Sequence, residues 1–228
     1  MTEHHQAHAH HEATEPVAKA QQFLHNNGKT ILGVLVAIVV IVAGWIGYTQ
    51  YIVKPKEDKA AEAIIKVQGY FMMDSSNLVL NGDGQSKGAL YIINNFGGTK
   101  TANLAKYYAG VSYLHLGDFS NAVKYLKDFS TDAKQIQLLA LGNLGDAYAE
   151  LKQNDDAIAT YKKAGNSFET DEANSAEYLF RAALLSESLG KNKEALDLYK
   201  EIKTKFPKTD KGFQADKYIY RLSVEKND

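Results

Sequence analysis

The chain has 228 residues, room for one ordinary domain and an appendage, and its 26 Lys and Arg against 27 Asp and Glu leave a net charge of −1. That balance gives no basic footprint for nucleic acid. The absence of cysteine excludes disulfides, thiolate metal sites, cysteine nucleophiles and a lipid-anchored Cys, while leaving the compartment open.

Residues 1–29 read as a disordered His-rich tail and a short juxtamembrane segment. His4, His5, His8, His10 and His11 could bind a divalent metal, since imidazole is a common ligand. No carboxylate or Cys completes a fixed geometry, so a polar tail without a metal site is the expectation. Residues 30–53 carry no charge, and 31–46 are almost wholly Ile, Leu, Val, Ala and Gly. At about 1.5 Å per residue this stretch reaches roughly 36 Å, enough to cross a bilayer core with some tilt. Lys29 and Lys54 bracket it, and Trp45, Tyr48 and Tyr51 cluster at one end like an interfacial belt. A transmembrane helix over 30–53 is therefore predicted. A signal peptide fits worse, because the tail is long, the apolar run is too long and no A-x-A-like site follows. Lys54, Lys56, Lys59 and Lys66 outnumber Lys19 and Lys29. Read alone, that count puts the C-terminal side in the cytoplasm, although long domains translocate largely regardless of local charge.

Beyond the anchor, residues 57–73 predict a helix with Ala60, Ile64, Val67 and Phe71 on one side. A second is expected over 85–95, ended by Gly97-Gly98, with Thr99 or Thr101 capping the next helix. Self-similarity follows. Leu144-Gly145-Asp146-Ala147-Tyr148 and Ala157 to Tyr161 echo Gly110, Tyr113, Gly117-Asp118-Phe119 and Ala122 one period earlier. Leu179, Ala183, Gly190, Ala195, Tyr199 and Pro207 follow one period later. This spacing resembles the tetratricopeptide repeat (TPR), a helix pair of about 34 residues. Gly110, Gly145 and Ala183 would sit where the first helix crosses its partner, with Ala122, Ala157 and Ala195 doing the same on the second. Tyr113 and Tyr148 would fill the wider spaces, and Pro207 would stop the last repeat helix. A few residues inserted in the third repeat are expected as a loop over 165–171.

The expected fold is all-α: a single transmembrane helix, then an α-solenoid of TPR helix pairs over 54–228. It comprises a degenerate pair at 57–98, repeats at about 101–134, 136–170 and 174–208, and a capping helix over 209–225. About eight helices after the anchor and essentially no strand are predicted. On the capping helix, Phe213, Tyr218, Tyr220 and Leu222 stand on a charged background.

No catalytic constellation emerges. Asn81-Gly82-Asp83-Gly84 lacks the terminal Glu of a calcium loop, Gly97-Gly98-Thr99-Lys100-Thr101 lacks Gly-Lys-Thr adjacency, and His115 stands alone. The sequence therefore predicts a binding scaffold, with no enzyme activity and no cofactor. In TPR arrays the concave face is lined by first helices, at positions filled here by Tyr107, Val111, Leu114, Asp146, Glu150, Phe180, Leu184 and Glu187. Either these hold a protein partner, an apolar or helical segment with some positive charge, or several pack on the next repeat.

Phe23-Leu24-His25-Asn26-Asn27-Gly28-Lys29, followed by the apolar run and Gly44-Trp45, resembles the start of the bacterial ancillary SecYEG translocon subunit family, the YfgM type. The resemblance implies a cytoplasmic N-terminus, one inner-membrane helix and a periplasmic TPR domain. It also implies association with the Sec translocon and with a membrane-anchored periplasmic prolyl isomerase chaperone or secreted chains. The alternative is an anchored TPR adaptor for cell-wall or outer-membrane assembly.

Overall fold

The computed structural model describes residues 15–224, so the histidine tail and Glu225 lie outside the described residues. Two compact units meet at Lys54 and Pro55. The first contains α1, Glu15–Tyr48, followed by a π-helical turn, Thr49–Val53. Helix thus begins well ahead of the apolar stretch. It is long and apolar enough to cross a membrane, and none of its apolar window is covered by protein. Val39, Ile41 and Trp45 are among the large side chains left open, a surface that hydrocarbon tolerates and water does not.

In the second unit, α2 (Lys54–Met72) buries Ala60, Ile64, Val67 and Tyr70, with Phe71 half-buried. The helix expected from residue 85 starts only at Ala89, as α4 (Ala89–Asn95). Residues 82–88 are instead held in a tight turn. Gly82 and Gly84 take φ of +81° and +89°, and the Asp83 carboxylate accepts from the Gln85 and Ser86 amides at 3.0 and 2.6 Å. A short helix not foreseen, α3 (Ser76–Asn81), precedes this turn and buries Val79 and Leu80.

The next helix, α5 (Lys100–His115), begins on a double cap. Thr99 Oγ1 accepts from the Ala102 amide at 3.0 Å. The Glu57 carboxylate, brought over by α2, accepts from the amides of Lys100 and Thr101 at 2.7 and 3.0 Å and from the Thr101 hydroxyl. Three of the four otherwise unpaired first-turn amides are thereby satisfied, beside a favourably placed negative charge.

Helix pairs follow: α5 with α6 (Phe119–Lys127), α7 (Lys134–Glu150) with α8 (Asn154–Ser167), and α9 (Glu172–Ser188) with α10 (Asn192–Lys205). The terminal helix is α11 (Asp210–Val224). Ten helices therefore follow α1 among the described residues, with no strand there beyond an isolated bridge between Gly82 and Lys87. This is an α-solenoid of helical hairpins. One apolar cluster runs from α5 to α11 and a second joins α2, α3, α4 and α5, with Phe71 and Tyr113 against both.

Close helix crossings explain the small residues. A Cβ on Gly110 would lie 2.5 Å from Leu126 Cγ, and one on Gly145 would lie 2.5 Å from Tyr161 Cδ1. Ala122, Ala157, Ala183 and Ala195 are all fully buried. Tyr148 is buried, Tyr113 stacks on Tyr125 at 5.6 Å, and exposed Pro207 follows the end of α10. Gly165 is not in a loop. It lies buried inside α8, where a Cβ would meet Leu179 Cγ at 2.6 Å, so the extra residues of the third repeat largely lengthen a helix.

Candidate functional site: the inner face of the repeats

The first helices of successive pairs, α5, α7, α9 and then α11, have closely spaced backbones, whereas the backbones of α6, α8 and α10 stay farther apart. There α8 and α10 meet through long side chains, Lys162 with Glu194 and Lys205 with Asn166, each at 2.9 Å. Close first helices and separated second helices make the first-helix side the inner, concave one. Along it, Leu184 and Glu150 are exposed, while Tyr107, Leu114, Asp146 and Glu187 are half-buried. Val111 and Phe180 are buried and so are closed to a partner. Tyr107 lies 5.5 Å from Phe129 and 6.3 Å from Phe71, ring centre to ring centre. Phe180 lies 5.1 Å from Tyr218 of α11, so the terminal helix covers it.

Two of the three acidic positions are already occupied. Asp146 accepts from Arg181 at 2.7 and 2.9 Å and from the Tyr161 hydroxyl at 2.6 Å. Arg181 also donates to Glu177 at 2.8 Å, and Glu177 pairs with Lys211 at 3.2 Å. The result is a ladder running Asp146, Arg181, Glu177, Lys211 across α7, α9 and α11. Glu187 accepts from Tyr199 at 2.9 Å and from Arg221. The cations also lie over rings, Lys211 4.6 Å from the Phe180 centroid and Arg181 5.4 Å from that of Tyr178. Internal pairing thus neutralises most of the negative charge that the bare sequence puts on this face.

Sequence reasoning missed Arg181, Glu177, Lys211 and Arg221, although a signal was present. Asp146 and Arg181 are 35 residues apart and Glu187 and Arg221 are 34 apart, the repeat spacing itself. Ion pairs at that interval join equivalent surfaces of adjacent repeats.

Burial pushes Glu177 upward, but the hydrogen bonds and charges of Arg181 and Lys211 overcome this and hold it below the ordinary carboxylate range. Burial likewise lowers Arg181, and Glu177 with Asp146 more than reverse that. Burial, aided by the Asp146 charge, pushes the Tyr178 hydroxyl up to about 12. Because the folded carboxylate has the lower pKa, the Glu177 contribution is complete above the unfolded value of about 4.3 and is lost as pH falls through the folded value. Arg181→Ala should destabilise the chain by about 1 kcal/mol at pH 7, a figure discounted for the half-exposed side chain. Urea titrations of both proteins should show that difference shrinking below about pH 4.

The arrangement offers a rigid surface with exposed apolar and polar positions between prepaired charges, suited to gripping a peptide or helix. Among the described residues no group of His, Asp and Glu could hold a metal ion. A family model described as tetratricopeptide repeat-like domain matches residues 21–164, and one described as tetratricopeptide repeat matches residues 177–209. No curated protein matches the chain.

Proposed function

The chain belongs to the tetratricopeptide repeat-like domain family, and from that premise we propose a membrane-anchored scaffold associated with the Sec protein translocon. TPR domains are protein–protein interaction scaffolds and are generally non-catalytic. In this reading the inner face binds a periplasmic chaperone or prolyl isomerase, or polypeptides emerging from the channel. The concave positions are Tyr107, Leu114, Glu150 and Leu184, with Asp146 and Glu187 serving through their ion-pair ladders. The observation that carries the reading is a helix of span length, with its apolar side chains uncovered, ahead of the repeats. The SecYEG-subunit resemblance of the segment around Lys29 supports the choice of partner. Purification in mild detergent followed by mass spectrometry tests it. Translocon subunits and an isomerase should be recovered. Recovery of cell-wall or outer-membrane assembly proteins alone would favour an envelope adaptor instead, and recovery of neither group would sink both readings.

The same proposal puts the N-terminus in the cytoplasm and the repeats in the periplasm of a bacterial inner membrane. A helical domain of this size can override the local lysine count. Protease added to intact cells should spare residues beyond Lys54 and should cut them once the outer membrane is opened. Cleavage that waits for lysis of the inner membrane would reverse the orientation.

A further inference from the structure

A repeat array has two ends with no neighbouring repeat to cover them, and an isolated array keeps those ends polar. Both end helices of the unit from Pro55 onward depart from this rule. On α11, Phe213, Tyr220 and Val224 are 68, 74 and 45% exposed. They recur at helical spacing on the side opposite buried Ala215 and Leu222, with exposed Lys217 between them. On α2, Ile65 and Met72 are 63 and 79% exposed. They lie on the side away from buried Ala60, Ile64 and Val67, with Gly69 between them, Ala61 one turn before Ile65, and Asp58 and Glu62 on the same side. A Cβ added at Gly69 would meet nothing within 4 Å.

The two stripes are unlike and complementary. The α11 stripe is bulky and aromatic around one lysine, whereas the α2 stripe has small residues that leave sockets and two carboxylates. Among the described residues, Asp58, Glu62 and Lys217 make no ion pair, while the flanking Arg221 and Asp216 of α11 are held by Glu187 and Lys203. Pairing α11 with another α11 would oppose Lys217 to itself, and pairing α2 with another α2 would bring four carboxylates together. Like charges facing each other across an interface disfavour both.

We propose that the outer face of α2 in one copy of this chain receives the outer face of α11 in a second copy. The contact is heterologous, head to tail, and builds rings or rows of anchored copies rather than closed two-fold dimers. It leaves the inner face of each array free, so it stands whether or not the translocon reading holds.

Because the chain has no cysteine, single cysteines introduced into the full-length protein in its membrane can be cross-linked without background. One tagged copy would carry Glu62→Cys and a differently tagged copy Lys217→Cys. A second pair would carry Ile65→Cys and Phe213→Cys. A short bismaleimide should give a mixed dimer when either pair is co-expressed, and no dimer when any of the four copies is expressed alone. Lys217→Glu in place of the native residue should reduce cross-linking of the Ile65 and Phe213 pair at least tenfold, and Glu62→Lys on the facing copy should restore it. Cross-linking of Lys217→Cys with itself as strong as in the mixture would overturn the proposal in favour of a symmetric contact. Silence of both mixed pairs would overturn it too, including the case where the bilayer shields the Lys217→Cys thiol from maleimide.

Discussion

Phe206→Ala is expected to destabilise the full-length chain in mild detergent by about 3–5 kcal/mol, the range for truncating a buried aromatic ring. Phe206 is 2% exposed and belongs to the main apolar cluster with Tyr199, Ile202, Ala215 and Leu222. It also ends α10 and receives α11. Its amide donates to the Ile202 carbonyl at 2.9 Å, and its own carbonyl accepts from the Thr209 amide and hydroxyl at 3.1 and 2.8 Å. A Cβ on Gly212 would lie 2.0 Å from that same carbonyl oxygen, so the first turn of α11 sits directly on the Phe206 backbone. Truncation leaves a void under the terminal helix and weakens its hold on the last repeat. The urea midpoint should fall with little change in slope. Amide exchange should rise first in α11, because the loss is local to the end of the array. A midpoint equal to the parent's would mean that the ring does not anchor the terminal helix.

Gly145→Leu should also lower stability, by about 1–3 kcal/mol from overpacking. The neighbour it strikes cannot retreat easily. Tyr161 is 5% exposed, its hydroxyl donates to Asp146, and its ring faces Tyr178 at 6.4 Å. Glycine inside a helix is itself unfavourable by about 1 kcal/mol relative to alanine, so Gly145→Ala separates the two effects. The alanine variant gains helix propensity while pressing one atom against the ring, and the leucine variant adds three more. Thermal unfolding should rank parent above Leu, with Ala above Leu. A leucine variant as stable as the parent would mean that α7 and α8 do not cross at this residue.

Much of this architecture was legible because repetition multiplies a weak signal. One glycine in a helix says little, but Gly110 and Gly145 at matching places, each followed by a buried alanine on the partner helix, describe a crossing twice. The failures have physical causes. Leu78, Val79 and Leu80 form a run too short to show a helical period, so α3 is not legible in the sequence. The longer spacing of the third repeat points to an inserted loop from Gly165, but spacing cannot tell a longer loop from a longer helix, and contact with Leu179 is what demands glycine there. Gly142 was missed altogether. A Cβ there would lie 1.9 Å from Tyr178 Cζ, a contact between the first helices of adjacent repeats. For the inner face, a position in the repeat indicated direction but not depth. Val111 and Phe180 point inward yet are sealed by neighbours, and the charge of Asp146 could not be weighed without Arg181 beside it.

The Glu57 cap has a consequence for the order in which the chain becomes ordered during synthesis. Glu57 meets Lys100 and Thr101 across 43 and 44 residues of chain, and α2 buries Ala60, Ile64 and Val67 only against partners that come later. Closing so long a segment carries an entropic penalty that is met only once those partners exist. As the polypeptide is made from its N-terminus, α2 must wait, its apolar side incompletely covered, until α5 has left the ribosome. A chain stalled or truncated before Thr101 thus carries α2 with only α3 and α4 against it, lacking the Ala102, Ala105 and Ala109 side chains of α5 that complete the cluster.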